Sequence, residues 1–80
     1  MPMKFVILQT RDGETPILFP DTVFHDQVEA AFDHDGVISA GFISFAEGKL
    51  SCHGESESLG IKARGEDDEI TIVHKMGPRR

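Results

Sequence analysis

Residues 20–36, PDTVFHDQVEAAFDHDG, predict the clearest helix in this chain, and the other elements are arranged around it. A side-chain oxygen of Asp21 or Thr22 can accept hydrogen bonds from the free N–H groups of the first turn, and Gly36 marks the end of the helix. Four apolar residues recur with the 3.6-residue period of a helix, so we expect them to face a core. They are Phe24, Val28, Ala31 and Phe32.

The opposite side of the predicted helix is acidic, because Asp26, Glu29 and Asp33 fall at positions i, i+3 and i+7. Asp33 and Asp35 lie near the helix C-terminus, where the helix dipole disfavours a negative charge by about 0.3–1 kcal/mol. A solvated face is the simplest interpretation. The alternative is that local stability is given up in order to present negative charge, which makes Asp26, Glu29 and Asp33 candidate partner-binding residues.

Two strands are predicted before this helix. Residues 3–10 (MKFVILQT) are apolar in both alternating sets, which is typical of a central strand that is covered on both faces. Asp12-Gly13 indicates a hairpin, since a type I′ turn needs positive φ at both central residues. Residues 15–19 return as the second strand, and Pro16 places that strand at a sheet edge because proline lacks a backbone donor.

After the helix, residues 37–46 (VISAGFISFA) predict a third strand, and a hairpin at Glu47-Gly48 leads into a fourth over residues 50–54. A bulge at Gly41 is expected, because one extra residue there lets four apolar side chains share a face. They are Ile38, Ala40, Ile43 and Phe45. With a right-handed crossover, the prediction is an α+β fold: a four-stranded antiparallel sheet (ββαββ, order 2-1-3-4) with one main helix on one face.

The C-terminal part of the chain is less regular. Residues 55–65 (ESESLGIKARG) are polar and contain glycine, which predicts a loop or a short irregular strand around residues 59–61. Residues 66–76 fit a short C-terminal helix, with acids at its positive end and a base at its negative end, although the β-branched ITIV also fits an added edge strand. We expect a single domain over residues 1–76 and a disordered tail over residues 77–80.

Charge and composition limit the classes of partner. The 80 residues include 14 acidic and 8 basic side chains, so the formal net charge is −6. Phosphate contacts need clustered Lys and Arg, which argues against direct nucleic-acid binding. Residues 12–48 contain eight acidic residues and no Lys or Arg. No apolar run approaches the ~20 residues of a membrane span, so no membrane contact is expected.

The single cysteine and the first residues indicate the compartment. Cys52 has no second cysteine with which to form an internal disulfide. Residues 1–8 (MPMKFVIL) have neither the length nor the cleavage pattern of a secretory signal. A reducing, cytoplasmic location is expected.

Three segments carry a resemblance to a protein group. They are CHGESESLGIKARGEDDE at residues 52–69, ILFP at residues 17–20 and VISAGF at residues 37–42. The chain resembles a set of small bacterial and prophage-encoded proteins of unknown function, in which a G-x-S-x-S-L-G segment and an R-P/G-E-D segment follow an A-G-F strand. The resemblance covers about half of the chain. It implies a bacterial or phage context and no particular activity, cofactor or catalytic residue.

No set of side chains in the sequence predicts catalysis or metal binding. Ser51, His53 and Glu55 alternate along one strand face, but residues two apart on a strand are ~6.6 Å apart, too far for the ~2.6–3.2 Å hydrogen bonds of a triad. Cys52 points to the opposite face, and we expect it to be a small core residue. Paired zinc-ligand spacing and a phosphate-binding glycine loop are both absent from the sequence. We therefore predict no catalytic residue, no metal and no cofactor.

His25 and His34 lie on the acidic helix, where neighbouring carboxylates favour protonated histidine. A pH-sensitive face is one hypothesis, and plain solvated histidines are the simpler alternative.

Three functional hypotheses remain. The first is a small, non-enzymatic protein-interaction or regulatory module whose protein partner is unknown and which could form a homodimer, since one helix alone leaves the second sheet face apolar. The second is an acidic decoy that mimics nucleic acid and uses the acidic helix face. The third is a small enzyme, which a deep pocket with convergent polar groups would support.

Overall fold

The computed structural model describes residues 3–76, and among these it contains six strands and two helices. The predicted disordered tail lies outside the described residues. In chain order the elements are β1 (Met3–Thr10), β2 (Gly13–Pro20), α1 (His25–Ala31), β3 (Gly36–Ala46), β4 (Lys49–His53), β5 (Glu55–Ser56), β6 (Ile61–Lys62) and α2 (Glu66–Met76).

The main sheet is antiparallel and has the strand order β2-β1-β3-β4, which confirms the predicted α+β class and strand order. Pro16 lies on the edge strand β2, as expected, but the β1–β2 hairpin closes with Thr10 opposite Gly13, so its two turn residues are Arg11 and Asp12. The predicted type I′ turn at Asp12-Gly13 is therefore wrong, because Gly13 has a positive φ (92°) and Asp12 does not. Both alternating sets of β1 are buried. Residues 55–65 were predicted as a loop or a short strand around residues 59–61; they contain two short strands, β5 and β6, that form a separate two-stranded sheet.

Helix α1 is shorter than predicted, with seven residues from His25 to Ala31. The predicted caps are wrong: the helix begins after Phe24, whose backbone N–H donates to Oε1 of Gln27 (2.9 Å). It ends because Phe32 is extended (φ −126°, ψ 140°). Phe24 and Phe32 are therefore outside the helix and about half exposed or more, so the predicted apolar stripe is wrong there, and Ala31 is exposed too.

The irregularity in β3 also differs from the prediction. The β1–β3 register shifts between Ile7, which lies opposite Ser39, and Leu8, which lies opposite Val37, so the extra residue is Ile38. Gly41 pairs regularly with Phe5. The four side chains predicted to share a face therefore do not: Ala40 packs on one side of the sheet, and Ile38 and Ile43 on the other.

Each face of the sheet has its own apolar core. On the α1 face, Val28 of α1 packs with four buried residues of the sheet, with support from Leu59 and Ile61. Those four are Val6, Leu8, Phe19 and Ala40. On the α2 face, Ile72 of α2 packs with Phe5, Ile7, Ile43 and Cys52. The C-terminal segment is thus a helix, not the alternative edge strand, and it covers the second face.

Helix α2 is joined to the sheet by a buried polar network. The carboxylate of Asp68 is fully buried and accepts hydrogen bonds from Ser39 Oγ (2.5 Å), from the backbone N–H of Arg64 (2.5 Å) and from Arg64 Nε (2.8 Å). Arg64 also donates to Glu14 on β2 (2.9 Å). The neighbouring Glu69 accepts from the backbone N–H of Cys52 on β4 (2.9 Å). Both carboxylate oxygens of Asp68 thus accept hydrogen bonds, one of them from a guanidinium group, which is the condition under which a buried charge is stable.

Candidate interaction surfaces

The exposed side of α2 carries a strip of large apolar side chains among charged ones. The inward side carries Asp68 and Ile72, so residues on the opposite side of the helix face solvent. Four large apolar side chains there and on the neighbouring β3–β4 hairpin are each at least half exposed. They are Phe45, Ile70, Val73 and Met76, and we call this set, with Leu50, the α2 patch.

Two adjoining grooves form the α2 patch. One, of about 610 Å³, lies between α2 and the start of β4, and the other, of about 260 Å³, lies between α2 and Phe45. Leu50 and Val73 line both grooves, so the surface is continuous.

Charge along the α2 patch runs from acidic to basic. Glu66 and Glu69 belong to the first turn of α2, and His74 belongs to the last turn. Lys49 lines the same groove as these three residues. The two ends of one exposed apolar strip therefore carry complementary groups.

The candidate acidic residues do not form one helix face. Asp26 and Glu29 lie on α1, but Asp33 follows the end of the helix. Glu29 Oε2 lies 2.9 Å from Nε2 of His34. Asp26 and Asp33 are exposed. Their exposure fits both interpretations, a solvated surface and a partner-binding surface.

His25 is buried and not solvated. Neither interpretation from the sequence, a pH-sensitive acidic face or a plain solvated histidine, therefore describes this residue. Only 4% of its surface is exposed, and its Nε2 donates to the carbonyl oxygen of Gly41 (3.0 Å). Burial lowers the pKa of His25, and the positive charge of Lys4 acts in the same direction. The predicted increase in its pKa from carboxylates is therefore wrong.

A cleft of about 650 Å³ opens beside His25 on the α1 face. Phe24 and Phe42 form apolar walls, Lys4 and His25 lie at its inner side, and the exposed Glu55 and Glu57 lie at its rim. The Lys4 ammonium donates to the carbonyl oxygen of Val23 (2.9 Å) and lies 5.3 Å and 6.0 Å from the ring centroids of Phe24 and Phe42.

The sequence interpretation missed Lys4, although the sequence contains a signal for it. Lys4 is in phase with Val6 and Leu8 on a strand predicted to be buried on both faces. A lysine at such a position is almost never fully buried without a partner, which marks it as a candidate site residue.

The side chains considered for catalysis are not brought together. Cys52 is buried, and burial, with smaller contributions from the charges of Asp68 and Glu69, raises the pKa of its thiol to about 12. Cys52 is thus the small core residue that was expected and not an activated nucleophile. Ser51, His53 and Glu55 are all exposed. Between residues 3 and 76, no group of three or more His, Cys, Asp or Glu side chains is placed to hold a metal ion.

Neither of the two helices in the described part of the chain is long and apolar enough to cross a membrane. Comparison of the chain with protein-family models, with curated proteins and with solved structures finds no match. Function is therefore inferred from the geometry of the chain itself.

Proposed function

We propose that this chain is a small, non-enzymatic interaction module that docks through the α2 patch, and that the occupant of the patch is a second copy of the chain. The observation that carries the proposal is the continuous exposure of Phe45, Ile70, Val73 and Met76 on one side of the molecule. Contiguous apolar surface of this kind on a small domain marks an interface.

Charge favours a second copy over an unrelated protein. In a pairing whose two-fold axis is perpendicular to α2, the two α2 helices run antiparallel, and the same patch serves both protomers. The acidic end with Glu66 and Glu69 then meets the end with His74 of the other copy, and Lys49 of each copy lines the same groove. The patch is thus complementary to itself in charge as well as in its apolar centre.

The buried side of α2 supports this arrangement. Asp68 and Glu69 hold the helix on the sheet through hydrogen bonds to Ser39, Arg64 and Cys52. The patch is therefore preformed, and pairing requires little reorganisation of the backbone. The proposed setting is the bacterial or phage cytoplasm, on the basis of the sequence resemblance and the lone cysteine.

Size-exclusion chromatography with light scattering over a wide range of concentrations tests the proposal. The expected mass is that of a dimer, and Val73→Glu is expected to give a folded monomer because it places a charge at the centre of the patch. Phe45→Ser should weaken the dimer. The matched control is Phe32→Ser, which changes a similarly exposed phenylalanine outside the patch.

A strict monomer at every concentration contradicts the proposal. So does an equal effect of Phe45→Ser and Phe32→Ser, since only the first residue belongs to the α2 patch. Circular dichroism of each variant separates loss of pairing from loss of folding.

The acidic decoy is the second candidate, and the exposure of Asp26, Asp33 and Asp35 favours it. A decoy captures nucleic-acid-binding proteins from a lysate and releases them as salt increases. Charge reversal at Asp26, Glu29 and Asp33 should abolish that capture and leave the dimer intact. Unchanged capture would remove this candidate.

A further inference from the structure

The most unusual charge in the molecule is that of Lys4. This residue is 9% exposed and lies within the central strand β1. No carboxylate oxygen of residues 3–76 lies within 4.0 Å of its ammonium group. Within the same residues, its one hydrogen bond is to the carbonyl oxygen of Val23.

An ammonium group has three donors, and Lys4 uses one of them within the described chain. Contact with the rings of Phe24 and Phe42 offsets part of the cost of removing the ammonium group from water. Buried charges in proteins are otherwise paired. Among residues 3–76, the ammonium group of Lys4 therefore has no carboxylate partner and has two donors without an acceptor, and it lines the cleft.

The surroundings of Lys4 define the shape and charge of a ligand. Phe24 and Phe42 offer apolar walls, and the volume of about 650 Å³ is within the range of small-molecule sites, ~300–1,000 Å³. Glu55 and Glu57 at the rim carry negative charge. The imidazole of His25 has its Nε2 committed to Gly41 and adds no formal charge while neutral.

We propose that this cleft binds a free α-amino acid with an apolar side chain. Lys4 holds the ligand carboxylate, Glu55 and Glu57 face the ligand ammonium, and Phe24 and Phe42 enclose the apolar side chain. A simple anion such as phosphate is repelled by the two glutamates, and a simple amine is repelled by Lys4. A zwitterion with an apolar body satisfies both ends of the cleft at once.

The cleft is on the α1 face of the sheet and the α2 patch is on the other face, so this site goes beyond the proposed function and does not depend on it. Loss of the dimer in Val73→Glu should leave amino-acid binding unchanged. A failure of either proposal is therefore recognised without reference to the other.

The test is an NMR titration of the full chain with three related compounds. L-Phenylalanine is expected to give saturable shifts of the backbone amides of Lys4, Phe24 and Phe42. Phenylacetate, which lacks the ammonium group, should bind at least tenfold more weakly, and phenethylamine, which lacks the carboxylate, should not bind. Phosphate, as a further probe, should give no saturable shift.

Two variants assign the roles of the charged groups. Lys4→Met keeps the apolar stem and removes the charge, so it should abolish binding of phenylalanine without unfolding the protein, because replacing a buried charge by an apolar side chain is often neutral or stabilising. The double variant Glu55→Gln with Glu57→Gln should weaken binding of phenylalanine but not of phenylacetate.

One more compound, N-acetyl-phenylalanine, distinguishes a free amino acid from the C-terminus of a peptide. Weak binding of this compound supports the free amino acid. Binding as tight as that of phenylalanine means that the glutamates take no part, and the assignment to a free amino acid is then wrong. Absence of saturable shifts with all of the compounds, or retained binding in Lys4→Met, overturns the site itself.

Discussion

The two faces of the sheet are closed in different ways. On the α2 face, the 11-residue helix α2 is bound through charged side chains that hydrogen-bond to one another, with Asp68 at the centre. On the α1 face, the 7-residue helix α1 is accompanied by two buried basic side chains, Lys4 and His25, whose hydrogen-bond partners are backbone carbonyl oxygens. On the α2 face the charged side chains are thus paired with one another, whereas on the α1 face Lys4 and His25 line a cleft.

This difference between the two faces separates the residues that stabilise the fold from those that bind a small ligand. A closed network of charges resists rearrangement, because removing one member leaves the others buried without a partner. A face that is closed by a short helix and single hydrogen bonds can leave charge available to a ligand. We therefore expect the largest losses of stability from changes on the α2 face and the main effects on ligand binding from changes on the α1 face.

The largest expected effect is that of Asp68→Ala. This change removes the acceptor for Ser39 and Arg64 and leaves a guanidinium partly buried, which should lower the free energy of unfolding by about 3–5 kcal/mol. Urea denaturation followed by circular dichroism measures the loss. The matched control is Asp67→Ala at the adjacent exposed position, where a change within about 0.5 kcal/mol is expected. Equal effects of the two variants would show that the network does not hold α2.

The next effect is expected at Gly41, where β3 is most closely packed. A Cβ atom added at this position would lie 2.5 Å from the carbonyl oxygen of His53 and 3.1 Å from Cβ of Ala63. Gly41→Ala should therefore cost about 1–3 kcal/mol of unfolding free energy, as overpacking does elsewhere. Gly36→Ala in the same strand is the control, since no atom lies within 4 Å of its added Cβ. A neutral Gly41→Ala variant would mean that the β3 contact is looser than the structure shows.

These two positions also show how far the sequence predicts the structure. Strand order was predictable because hairpin signals and alternating apolar residues are local patterns. The close packing around Gly41 was not predictable, because its neighbours His53 and Ala63 are distant from it in the sequence. The same holds for the Asp68 network, whose members Ser39 and Asp68 are 29 residues apart.

The length of α1 was missed for a different reason. The 3.6-residue pattern was counted from Phe24 to Phe32, but backbone conformation ends the helix before Phe32, and the cap comes from Gln27. The spacing of apolar residues predicts that a helix is present more reliably than it predicts where the helix begins and ends. Since His25 and not Phe24 faces inward, the same error concealed the buried histidine beside the cleft.

Acid should weaken the two faces in sequence, the α1 face first. Burial lowers the pKa of His25 below its ordinary 6.5, so the unfolded chain takes up a proton that the folded chain does not. The stabilising effect of neutral His25 is complete above pH 6.5 and is lost as the pH falls from there through the pKa of the folded state.

On the α2 face, the hydrogen bond from Arg64 lowers the pKa of the partly exposed Glu14 below 4.5, against a smaller opposing effect of burial. Its contribution is present above pH 4.5 and is lost only below that value. Unfolding free energies measured from pH 8 to pH 3 should therefore fall in two steps. His25→Gln should remove the upper step alone, and a single step in the wild-type chain would contradict this assignment.

The smallest expected effect is on the rate at which the Cys52 thiol is chemically labelled. Labelling of Cys52 reports on opening of the α2 face and requires no substitution there. The thiol is buried and its pKa is raised to about 12, so almost none of it is thiolate at neutral pH. Labelling by a disulfide reagent should therefore be slow in the native chain and should require opening of the face that α2 covers. Asp68→Ala should accelerate labelling because it loosens α2, whereas Lys4→Met on the α1 face should leave the rate unchanged. If both variants accelerate labelling equally, the two faces open together, and stability and binding are not divided between them.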